Sequence, residues 1–73
     1  MTLDELAKKY KEIFVEAPFG TRVTMIILFG IEYCDYIEQV GLSNIIEQSG
    51  IKSKYSGEVK KGMKLSKHVK LIK

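Results

Sequence analysis

Few residues of this chain could do covalent chemistry. Cys34 is the one cysteine and His68 the one histidine among 73 residues. A thiol nucleophile needs a base within reach, and His68 belongs to a distant lysine-rich stretch. Cys34 instead keeps roughly helical spacing with Ile27, Ile31 and Ile37, where a free cysteine behaves as a small buried hydrophobe. One thiol and one imidazole also fall short of the four ligands of a structural zinc site. Glu32, Asp35 and Glu38 are near neighbours on one stretch, but spacing alone does not make an acid/base pair, and they read as a solvated helix face. The glycines stand singly and form no phosphate-cradling loop. No catalytic constellation, metal site or cofactor follows, and the expectation is a binding module rather than an enzyme.

Lysine is the reactive group left, and its chemistry is the attraction of anions. Residues 1–50 hold four basic residues (Lys8, Lys9, Lys11, Arg22) against eight acidic ones, a balance of −4. Residues 51–73 hold eight lysines against Glu58 alone, a balance of +7. A lysine-rich end can simply keep a small domain soluble. Segregation this sharp also suggests that the C-terminal third meets a polyanion while the rest does not.

The elements that would position those lysines are helices. Thr2 followed by Glu5 is a capping box, and Leu3, Leu6, Tyr10, Ile13 and Phe14 then recur as one apolar stripe. The first helix is predicted to end near Ala17, because Pro18 disfavours helical geometry in the residue before it. Gly30, Gly41 and Gly50 are each followed by an apolar residue, the pattern of a helix stop. They divide the middle into Met25–Phe29 capped by Thr24, Ile31–Val40, and Asn44–Ser49 capped by Ser43. Alternatively, Gly30 lies inside one helix from Thr24 to Val40, at a cost of about 1 kcal/mol. The tail, residues 63–73, carries Leu65, His68, Val69 and Ile72 at helical spacing and is expected to form a short final helix. The fold class is therefore all-α: one domain over residues 1–73, a small bundle of four to five short helices. A core this small buries only about 60% of the surface that the unfolded chain exposes.

Residues 42–62, LSNIIEQSGIKSKYSGEVKKG, carry the most specific content. Physically they are a short helix, a glycine turn and a second helix, with Ile45, Ile46, Ile51, Tyr55 and Val59 able to pack together. The order resembles the helix-turn-helix of the lambda-repressor and Cro-like regulators. An apolar pair in the first helix is followed by a small residue, a glycine and an apolar residue, then an aromatic, an aliphatic and a terminal glycine. Those places are held by Ile45 and Ile46, Ser49, Gly50, Ile51, Tyr55, Val59 and Gly62. Departures are Ile46, where that family usually has a small residue, Ser56, where it usually has an aliphatic one, and the neighbouring Gly57, a residue unfavourable in a recognition helix. The motif, about residues 43–62, also sits later in the chain than in that family, and a distinct small family with its own helical wrapping fits equally well.

The resemblance implies double-stranded DNA as the partner. The second helix of such a motif lies in the major groove, with its N-terminal residues at base edges and flanking basic groups on phosphates. Lys52, Ser53, Lys54, Ser56 and Gly57 would then face bases, and Lys60, Lys61, Lys64 and Lys67 would lie along the backbone. A homodimer is expected, because specific affinity usually comes from two half-sites. Phosphate attraction does not distinguish DNA from RNA, so RNA stays open. A helix-turn-helix drawn around Gly30 would expose Glu32, Asp35 and Glu38, which repel phosphate. The competing function is a protein-interaction module, an inhibitor or a small subunit, using the acidic and aromatic surface of residues 32–40. The longest apolar stretch, Val23–Ile31, is about half the roughly 20 residues of a membrane helix. With no targeting segment at the acidic start and no disulfide, the expected setting is soluble and cytoplasmic, away from any membrane.

Overall fold

The computed structural model describes residues 1–51 and 55–69. Five α-helices and one 3₁₀ turn make up the described residues, with no strand among them. The first, α1 (Leu3–Glu16), starts at the expected capping box. The Glu5 N–H donates to Thr2 Oγ1 at 3.2 Å and the Thr2 N–H donates to Glu5 Oε1 at 3.0 Å. The backbone hydrogen bond from Thr2, joined by its hydroxyl, holds the Glu5 carboxyl below its ordinary value. The helix ends as Pro18 requires, with Ala17 extended at φ −69° and ψ 131°.

Phe19–Thr21 then make one 3₁₀ turn that leads directly into α2 (Arg22–Glu32). The next helix, α3 (Cys34–Val40), follows after Tyr33 alone, and α4 (Leu42–Ser49) follows after Gly41 alone. The last is α5 (Ser56–Leu65). Gly41 at φ 88° and Gly50 at φ 73° are the expected helix stops, in a region closed to most side chains.

Three boundary expectations need correction. Thr24 lies inside α2 and Ser43 inside α4, so neither is a cap. Gly30 is no stop but lies inside a helix, as the alternative had it; that helix, α2, ends at Glu32 instead of running on to Val40, and the break is at Tyr33, at φ −111° and ψ 19°. The separate final helix does not form among the described residues. Residues 63–65 are the end of α5, and residues 66–68 make a turn closed by the His68 N–H donating to the Leu65 carbonyl at 2.8 Å.

Leu6, Tyr10, Ile26, Phe29, Ile37, Ile45 and Val59 form the core, so every helix contributes at least one buried residue. α1 packs chiefly on α4, and α2 chiefly on α5. The second pairing explains Gly30. A Cβ at Gly30 would overlap the Val59 carbonyl, and one at Gly62 would overlap the Ile27 carbonyl. The two glycines thus let the backbones of α2 and α5 touch where they cross. No helix among the described residues is long and apolar enough to cross a membrane.

Candidate nucleic-acid interface

The crossing with α2 decides which face of α5 is free. Val59 and Gly62 turn inward, while Gly57, Lys60, Lys61 and Lys64 are exposed. Those four follow the i, i+3, i+4, i+7 spacing of one helix face. They span about 10 Å along the axis, at 1.5 Å per residue. Ser56 is half-buried at the start of this stripe. Lys67, in the turn after α5, is exposed as well. Lys61 Nζ lies 3.4 Å from Glu58 Oε2. An ion pair this exposed is worth only about 0–1 kcal/mol, so a phosphate can replace the glutamate at small cost.

Lys52, Ser53 and Lys54 lie outside the described residues. They precede α5 in the chain, because that helix begins at Ser56 after Tyr55. The expected helix reaching back to Lys52 is therefore shorter at its start, and Gly62 sits within it rather than closing it. Ile45 and Val59 share the core, with Ile46, Ile51 and Tyr55 packed against it, as the sequence led one to expect. α5 is braced chiefly by α2, and a shallow groove lined by Leu42, Ile46, Glu47, Ser56 and Lys60 runs between α4 and α5.

Two devices fix the entry to α5. Tyr55 ends a run of neighbouring rings: Tyr33 with Phe29 at 5.4 Å, Phe29 with Tyr10 at 5.7 Å, Tyr10 with Phe14 at 5.0 Å, and Phe14 with Tyr55 at 5.6 Å. Ser49 secures the Gly50 turn. Its buried hydroxyl donates to the Ile46 carbonyl at 2.7 Å and accepts from the Ile51 N–H at 3.2 Å. The small residue and glycine of the sequence motif are thus a side-chain-tied turn.

Neither α3 nor α4 competes for phosphate; α1 does expose Lys8, Lys9 and Lys11, among the exposed acids Asp4, Glu5, Glu12 and Glu16. α3 exposes Asp35, Tyr36, Glu38 and Gln39, and α4 exposes Ser43, Asn44, Glu47 and Gln48. Cys34 is buried, with its Sγ 3.6 Å from both Glu38 Oε1 and the Met63 carbonyl. It packs α3 against α5, as a small hydrophobe with a weak donor does. Among the described residues no group of three or more His, Cys, Asp and Glu side chains could hold a metal.

One residue acquires a role that sequence reasoning missed. Arg22, the chain's single arginine, donates from Nη2 to the Phe14 carbonyl at 3.0 Å, and its guanidinium lies 5.4 Å from the centre of the Phe14 ring. It caps a carbonyl in the last turn of α1, which has no basic residue of its own. Only proximity in space reveals this, since nothing in the spacing of Phe14 and Arg22 marks it.

The chain matches the HTH-like domain family over residues 2–72, which include all five helices, and it belongs to that family. This supports a helix-turn-helix family, though not the lambda-repressor and Cro-like regulators specifically. No curated protein and no solved structure matches the chain.

Proposed function

We propose that this HTH-like domain binds double-stranded DNA through the exposed face of α5, as a cytoplasmic, non-enzymatic DNA reader. A small transcriptional regulator or an accessory factor of a mobile element fits this best. The observation that carries the reading is the stripe of Gly57, Lys60, Lys61 and Lys64, which faces outward on the helix that follows the Gly50 turn. Lysines in such a row neutralise phosphates, and the glycine at its start lets a backbone come close. Ser56, Gly57 and, ahead of them in sequence, Lys52, Ser53 and Lys54 are the residues assigned to base edges. Alanine at Lys52 or Lys54 is then expected to relax sequence preference, at about 1–3 kcal/mol for each well-formed interaction with a base edge. A homodimer would present two such helices to two half-sites.

Salt dependence tests the reading. Each phosphate neutralised contributes about −0.9 to the slope of log K against log salt. Phosphates held by Lys60, Lys61, Lys64 and Lys67 of one copy predict a slope of roughly −3 to −4. Affinity for a duplex that does not change with salt would reject it. A second reading, protein binding through residues 32–40, is favoured by the exposed Tyr36 between Asp35 and Glu38. Such a partner would bind whether or not DNA occupies α5.

A further inference from the structure

An open groove of about 590 Å³ runs between α1 and α2, on a surface distinct from the lysine face. Ile13, Ala17, Leu28 and Phe29 give it an apolar lining. Met25, also in the lining, is 42% exposed. Glu12 and Glu16 line it from α1, and both are exposed, while Glu32 lines it from α2. Lys9, the one cation in the lining, sits 5.8 Å from the centre of the Tyr33 ring. An apolar concavity with charged walls is what a binding site for an amphipathic segment looks like.

The charges select the occupant. Two such grooves facing each other across a two-fold axis would set Glu12 and Glu16 against their own copies, a like-charge juxtaposition that disfavours the pairing. The segment that fits must be apolar on one side and cationic on the other. Residues 65–73 of this same chain have that composition, with Leu65, Val69, Leu71 and Ile72 among Lys67, Lys70 and Lys73. Leu65 and Val69 are 43% and 45% exposed, and residues 65–69 do not line the groove of their own chain.

We propose that the α1–α2 groove receives residues 65–73 of a second copy of this chain. Reciprocal exchange of the two segments closes the assembly as a two-fold dimer. Glu12, Glu16 and Glu32 of the acidic part of the chain then meet the last lysines of the basic part. DNA binding is not required for this association.

Sedimentation of the full chain without DNA, over roughly 5–500 µM and at two salt concentrations, tests the proposal. Wild type is expected to self-associate, more weakly at high salt. Met25→Glu and Val69→Glu alter exposed side chains, so the fold is expected to persist in circular dichroism, and each is expected to weaken association by about tenfold or more. The decisive arm pairs two charge-reversed proteins, Glu12→Lys with Glu16→Lys in one and Lys70→Glu with Lys73→Glu in the other. Each alone is expected to be a monomer, and an equimolar mixture is expected to dimerise. A wild type that stays monomeric throughout, association untouched by these substitutions, or a mixture that fails to restore it would each overturn the proposal. None of these outcomes bears on the affinity of α5 for DNA, which is measured separately.

Discussion

Gly57 and Gly50 are both glycines near the start of the proposed DNA-binding unit, yet they are there for opposite physical reasons. Gly57 sits inside α5 with open space where a Cβ would stand. Gly57→Ala is expected to stabilise the protein by about 0.4–1 kcal/mol, the usual effect where alanine fits the native backbone without strain. A glycine kept at that cost in stability makes sense if a ligand backbone passes over it, so Gly57→Glu is expected to weaken duplex binding while the fold survives. Denaturant titration and duplex titration of the two variants separate these effects. Gly50 stands at φ 73° with nothing near its missing side chain, and there the backbone is the constraint. Gly50→Val is expected to cost more than about 1 kcal/mol, because a branched residue in the left-handed region is strained. An unchanged denaturation midpoint for Gly50→Val would remove Gly50 from the turn.

At the scale of elements, local signals were readable and crossings were not. The Thr2 and Glu5 capping box, the Pro18 boundary, the stripe through Leu6 and Tyr10, and the stops at Gly41 and Gly50 all act within a few residues of themselves. A single sequence displays them in full. Gly30 carries the same local signature as Gly41, a glycine followed by an aliphatic residue. It is there because α5, far along the chain, presses Val59 and Gly62 against it. The start of α5 at Ser56 was likewise not readable: no side-chain cap marks it, and the contact of Tyr55 with the Phe14 ring of α1 is made across the fold. The exposed lysine face was readable, because the spacing of Gly57, Lys60, Lys61 and Lys64 already implies it once Val59 is placed inside. The crossing itself predicts that Gly62→Ala, or Gly30→Ala, destabilises by about 1–3 kcal/mol or more, as overpacking against an immobile backbone does. Alanine therefore has opposite signs at Gly57 and Gly62 of the same helix, which thermal unfolding of the two variants checks directly.

For the whole molecule, the fold converts a division of charge along the sequence into a division of surfaces. Lys60, Lys61 and Lys64 look outward from α5, whereas Asp35 and Glu38 look outward from α3, and Glu12 and Glu16 line the groove beside α2. A protein arranged this way is expected to approach a duplex in one orientation, with its acidic surfaces held away from phosphate. Diffuse attraction to a basic protein would lack that orientation. The measurement that separates the two is duplex affinity across salt for Lys60→Glu with Lys64→Glu, set beside Lys8→Glu with Lys11→Glu on the exposed surface of α1. Both pairs change the net charge equally. The α5 pair is predicted to abolish measurable binding at moderate salt and to make the salt slope shallower by roughly two, while the α1 pair leaves affinity within about threefold of wild type. Equal losses from the two pairs would contradict a dedicated DNA-binding face on α5.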